Sequence, residues 1–134
     1  MYLFWPRKSK TAALGRDADV LHERPGPQCQ VSLSGRITID SSPDLRALLL
    51  QRLETPKCKS LTVDLHDVIY IDTSGLAILL EVLKAAHAQG KTVHLSRLRE
   101  RPRYLLETTR LLHLFDEVSP QDPHSERLQV GSPP

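Results

Sequence analysis

The stretch Val68-Ile69-Tyr70-Ile71-Asp72-Thr73-Ser74-Gly75-Leu76-Ala77-Ile78-Leu79-Leu80 decides how this chain is read. An apolar, β-branched run stops at four small or polar residues, and an apolar helical pattern begins at once. Asp72, Thr73 and Ser74 are all capping types, because their side-chain oxygens accept hydrogen bonds from the first free N–H groups of a helix. Gly75 leaves the first turn uncrowded, so that another backbone or a phosphate can approach. Free N–H groups and the helix dipole favour negative charge there, which suits a hydroxyl that carries a phosphate. The same four residues also read as an ordinary cap with no further role.

Outward from this turn the chain alternates strand and helix. Ser60 to Leu65 reads as a strand, with His66 and Asp67 on a loop before Ile69 to Ile71. After the turn, Leu76, Leu79, Leu80 and Leu83 mark one helical face, which Ile78 and Val82 widen. Gly90 ends that helix as a left-handed cap, and Lys91 to Ser96 returns as a strand. Upstream, Val20 to Arg24 is a strand candidate closed by Pro25-Gly26-Pro27. Cys29, Val31 and Leu33 alternate with polar residues up to Gly35, a half-buried strand. Ser42 as N-cap, Pro43 and Asp44 start a helix with Leu45, Leu48, Leu49 and Leu53 on its buried face, and Pro56 bars its continuation. Pro102 opens a last helix with Leu105 and Leu106, and Phe115 to Val118 forms a final short strand. Strands separated by helices imply parallel pairing, and the early hairpin implies one antiparallel pair.

Leu61-Thr62-Val63-Asp64-Leu65, then Asp72-Thr73-Ser74-Gly75-Leu76, then Gly90-Lys91-Thr92-Val93-His94-Leu95 resemble the core of a STAS domain, the sulphate-transporter and anti-sigma-factor-antagonist family. The family pattern is a strand ending in Asp, an Asp-Ser-Ser-Gly-Leu turn, a helix, a Gly turn and another strand. The resemblance reaches upstream to Gly35-Arg36-Ile37 and Leu45-Arg46, and downstream to Leu111–Val118. It implies an α/β fold: a STAS-like single domain, with a mixed four- to five-stranded sheet and helices packed mainly on one face.

Composition fits one domain. The chain has 134 residues, 40% of them hydrophobic and 25% charged, with a net charge of +2 that is too small to argue for nucleic acid. Residues 18–119 form the expected domain, with a basic-aromatic leader over 1–17 and a Pro-rich tail over 120–134. Tyr2, Phe4 and Trp5, followed by Arg7, Lys8 and Lys10, read either as a disordered leader or as a short interfacial anchor, the one expected route to membrane contact. No apolar run is long enough to span a bilayer. Cys29 and Cys58 form no C-x-x-C pair and read as free thiols of a reducing cytoplasm.

Enzyme signatures are missing. No G-x-S-x-G surrounds Ser74, the six histidines lack metal-ligand spacing, and the glycines form no phosphate-cradling loop, so neither catalysis nor a cofactor or metal is expected. Arg97, Arg99, Arg101 and Arg103 alternate across the loop before the last helix, either as a solvated run or as a surface for an acidic partner.

What the resemblance implies is partner switching. In that family an unphosphorylated STAS protein binds an anti-sigma factor, a serine kinase of GHKL type, and so frees a sigma factor; the kinase phosphorylates the STAS serine and a PP2C-type phosphatase resets it. By position the phosphoacceptor is Ser74, alternatively Thr73. Partner contacts fall on Asp72, Thr73, Ser74, Gly75, Leu76, Thr38, Asp40, Arg97 and Arg99. Thr38 stands where kinase-binding members often have Asp, and Arg110 where the last helix usually ends in Gly. The alternative is a cytoplasmic STAS subunit of a phospholipid-transporting ABC complex, or a STAS scaffold in a signalling assembly.

Overall fold

The computed structural model describes residues 12–118. Its elements are β1 (Ala12–Leu14), β2 (Ala18–Arg24), β3 (Gln28–Ile37), α1 (Ser42–Glu54), β4 (Ser60–Ile71), α2 (Thr73–Ala88), β5 (Thr92–Ser96), α3 (Glu100–Thr108), a 3-10 turn (Leu112–Leu114) and β6 (Asp116–Val118). The six strands lie in chain order across one sheet. β1–β2 and β2–β3 pair antiparallel; β3–β4, β4–β5 and β5–β6 pair parallel. Adjacent parallel strands joined by right-handed crossovers put α1 and α2 on the same face of the sheet, where they pack against each other while α3 packs on β4. The expected α/β architecture therefore holds, with β1 as an additional edge strand.

β1 corrects the reading of the leader. Residues 12–17 fall within the expected leader, yet Ala12 pairs with Val20, Leu14 is 3% exposed in the core, and the Gly15 N–H donates to Asp44 Oδ2 at 3.2 Å. The apolar triplet Ala12-Ala13-Leu14 is too short to show periodicity, and only the neighbouring edge of β2 makes it a strand. The aromatic and basic residues of the leader and the tail over 120–134 lie outside the described residues.

The cysteines require a second correction. Cys29, at the start of β3, and Cys58, in the turn before β4, are joined by a disulfide with a Cα–Cα distance of 5.7 Å, and both are buried. Their separation of 29 residues in sequence hides a juxtaposition that parallel pairing creates, since Cys29 sits opposite Leu61 in the register. With both cysteines in a disulfide, they no longer point to a reducing compartment.

His66 and Asp67 are not on a loop. β4 runs unbroken through them, and its register against β3 steps from Ser32–Asp64 to Ser34–Asp67, so β4 carries an extra residue there. The bulge interrupts the apolar alternation, which made one long strand look like two. At α1, the N-cap is Ser41 rather than Ser42, and its side chain makes no capping bond to the helix. The Ser42 hydroxyl instead donates to the Thr38 carbonyl at 2.8 Å.

The core is built from the strand positions facing α1 and α2, Val31, Leu33, Ile37, Val63, Leu65 and Val68, against Leu45, Leu49, Leu53, Leu79, Val82 and Leu83. α2 ends in a Schellman turn: Lys91 N–H donates to Ala86 O at 2.8 Å and Gly90 N–H to His87 O at 3.1 Å, with Gly90 at φ 71°.

Candidate functional site

The parallel strands β3, β4 and β5 all run toward one rim of the sheet, and the three loops that leave them meet there. This is where α/β folds gather binding groups. Asp72 N-caps α2, its Oδ1 accepting from Ser74 N at 2.9 Å and Gly75 N at 3.1 Å. Asp72 N–H donates in turn to Ile37 O at 3.0 Å, which ties the turn to the end of β3.

Gly75 has a sharper role than an uncrowded turn. A Cβ at this position would stand 2.7 Å from Ile37 Cγ2 and 2.8 Å from Ile71 Cγ1. The close approach is thus to the chain's own strands, and Gly75 is buried. Leu76 is buried beside it. Thr73 is exposed, whereas Ser74 is only half-exposed.

On the β3 side, Thr38 organises a tight turn. Its carbonyl accepts from the N–H groups of Ser41 and Ser42 at 3.0 and 2.9 Å, its own N–H donates to Ser41 Oγ at 2.9 Å, and its hydroxyl accepts from Asp40 N at 3.2 Å. This presents Asp40 and Ile39 to solvent, Ile39 at 71% exposure. Thr38 and Asp40 therefore share the rim with the Asp72–Leu76 turn.

The four arginines divide. Arg97, at φ 55°, donates from Nε to Asp64 Oδ1 at 3.1 Å and from its terminal nitrogen to Asp64 Oδ2 at 2.6 Å. Asp64 is buried, and it also accepts from His66 N at 3.0 Å and from the Ser32 hydroxyl at 3.2 Å. Burial pushes its pKa up, but the Arg97 pair, the His66 N–H and the Ser32 hydroxyl together outweigh that and hold it below the ordinary carboxylate range. Arg99 donates to the His66 carbonyl, pinning the loop to β4. Arg101 and Arg103 belong to α3 rather than to the loop.

The sequence reading missed the group between β4 and α3. Tyr70, Ile71, Asp72 and Thr73 line one side of a cleft of about 780 Å³, and Arg101, Arg103, Tyr104 and Leu105 line the other. The Arg36 and Arg101 guanidiniums lie 4.5 and 5.7 Å from the Tyr70 ring centroid, within cation–π range. An aromatic residue two places before the capping Asp is the only trace of this in the chain. Among the described residues no group of three or more His, Cys, Asp or Glu could hold a metal ion.

The Asp-capped turn after the central strand, on a mixed sheet with α1 and α2 packed together, invites comparison with known proteins. The family model described as "Mlab, STAS domain" matches residues 20–116. The chain belongs to the STAS domain family. Within that family it is similar to the anti-sigma-B factor antagonist of Bacillus subtilis (strain 168), 33% identical over 87 residues, which are 65% of this chain and 78% of the relative. Its fold is that of an anti-sigma factor antagonist from Mycobacterium paratuberculosis (TM-score 0.68, 19% identity, 84% of this chain and 92% of that one). It is likewise that of the anti-sigma factor antagonist SpoIIAA in its unphosphorylated form (TM-score 0.65, 11% identity, 84% and 98%). Among the described residues of this STAS chain no helix is long and apolar enough to cross a membrane.

Proposed function

We propose that this STAS protein is an anti-sigma factor antagonist. It acts by binding, not catalysis, and phosphorylation in the Thr73–Ser74 pair switches it. The observation that carries this reading is the Asp72-capped turn at the rim, on a chain 33% identical to an anti-sigma-B factor antagonist. The partner is an anti-sigma factor that is also a GHKL-type serine kinase. It docks on the rim formed by Thr38, Asp40, Asp72–Leu76 and Arg99, and a PP2C-type phosphatase reverses the modification. Arg97 supports that surface from behind through Asp64 rather than by contact. A phosphate adds about −1.5 to −2 charge beside Asp72, so a contact that closes over the turn is driven apart.

A second reading, a STAS subunit that supports a transporter ATPase, draws on the threonine at position 73 and on the Mlab description of the matching family model. One affinity purification separates the two. Capture of a soluble kinase that, with ATP, phosphorylates Thr73 or Ser74 in the mass spectrum supports the first. Ser74→Ala and Thr73→Val should then keep the partner bound in ATP, each to the extent that its hydroxyl is the one modified. A bound cognate kinase that leaves both hydroxyls unmodified ends the partner-switching reading, and capture of a transporter ATPase replaces it with the second.

A further inference from the structure

The domain has a second concavity, at the end of the sheet away from the rim. It is a cavity of about 470 Å³ between the last part of β2 and the end of α1, and the Cys29–Cys58 disulfide forms part of its wall with Pro25, Val31 and Thr55. Glu23 and Arg52 border it and satisfy each other, the Arg52 terminal nitrogen donating to Glu23 Oε2 at 3.2 Å. Arg24 donates to Gln30 Oε1 at 2.9 Å. With those charges engaged, the wall suits an apolar occupant, and its polarisable sulfur suits an aromatic one.

Topology decides which apolar segment lies within reach. β1 pairs with β2 only as far as Val20, whereas β2 runs on to Arg24 along the cavity. Because the two strands are antiparallel, Ala12, the first residue of β1, is the one nearest the cavity end of β2. Ahead of Ala12 the sequence holds Tyr2-Leu3-Phe4-Trp5, four consecutive large side chains with apolar bodies. The seven-residue step from Ala12 back to Trp5 spans up to about 23 Å when extended. Val20 to Arg24 covers only about 13 Å of strand. The reach exceeds the distance, with chain to spare for a turn into the cavity.

We propose that the Tyr2–Trp5 segment seats in this cavity of its own domain, with Trp5 against Val31 and the disulfide. Seating takes aromatic surface out of water, and the short tether holds the segment at a high local concentration that a free apolar molecule has to outcompete. Arg7, Lys8 and Lys10 stay at the mouth in solvent. The site lies at the opposite end of the parallel strands from the Asp72 turn, so it leaves the rim open to a partner. It also withdraws the aromatic residues that an interfacial anchor would need.

Trp5 is the chain's one tryptophan, so its fluorescence reports the segment directly. In the dilute full-length chain without lipid, its emission should lie to the blue of the urea-unfolded chain, and acrylamide should quench it severalfold less. Nuclear Overhauser contacts should join the indole ring to the Val31 methyl groups. Thr55 is exposed at the cavity wall, and Thr55→Arg puts a charge there. That variant should unfold as cooperatively as the native chain, yet move Trp5 emission and quenching toward the unfolded values. If it does not fold, the Val31 contacts in the native chain decide alone. A water-like Trp5, shielding without contact to Val31, or a folded Thr55→Arg with Trp5 unchanged overturns the proposal. So does shielding that is lost on dilution, which would belong to a contact between copies. A Trp5 that is shielded only on adding vesicles of anionic lipid overturns it in favour of the membrane anchor.

Discussion

At the scale of single residues, Asp64 shows how a site is held from beneath. It is buried, paired with Arg97, and joined to Ser32 and His66. Its pKa is held low, so the stabilisation from the pair is fully present above about pH 3.9, the unfolded carboxylate's value. It is lost as pH falls through the depressed folded value. Asp64→Asn should cost about 1–3 kcal/mol near neutral pH, a figure reduced because Arg97 is partly solvated. It should also flatten the acid side of the stability profile, measured by urea unfolding from neutral pH down to about pH 2. Gly75 is the other single-residue determinant. With Ile37 and Ile71 under 3 Å from any added Cβ, Gly75→Ala should cost about 1–3 kcal/mol by the same unfolding assay, even though alanine favours helix.

Between residues and the whole lie the helix ends. α3 closes with the same bonds as α2: Leu111 N–H to Leu106 O at 2.9 Å and Arg110 N–H to Glu107 O at 3.0 Å. The position that Gly90 fills in α2 is filled here by Arg110 at φ 61°. The departure from the family glycine thus leaves the turn unchanged and adds left-handed strain for a residue with a Cβ. Arg110→Gly should raise stability by about 1 kcal/mol, read as a higher thermal midpoint. Lys91 contributes at the end of α1, donating from Nζ to the Leu53 carbonyl and to the Thr55 carbonyl at 3.3 Å, where a cation complements the helix dipole. Arg46 and Glu81 join α1 to α2 at 2.5 Å on an exposed surface, where such a pair counts for little.

For the molecule as a whole, the disulfide closes a long loop that holds nearly all of β3, all of α1 and the turn that follows it. In the chain-entropy account a bond between residues 29 apart stabilises by about 3–4 kcal/mol. Dithiothreitol should therefore lower the thermal midpoint of the native chain and leave that of Cys58→Ser unchanged; equal midpoints with and without reductant would show that the bond does not form. The strand–helix order, the three helices, the Gly90 cap and the Asp72 turn were legible in the chain, because each rests on local periodicity or on capping chemistry within a few residues. β1, the bulge in β4, the disulfide, the Asp64–Arg97 pair and the Tyr70–Arg101 cleft were not. Each joins groups that are far apart in sequence or depends on a neighbouring strand, and local patterns carry no signal for that. The sequence by itself determined that a capped helix start follows the central strand. Only the packing of α2 onto Ile37 and Ile71, and of α3 against β4, decided that Thr73 faces the cleft while Ser74 is half covered.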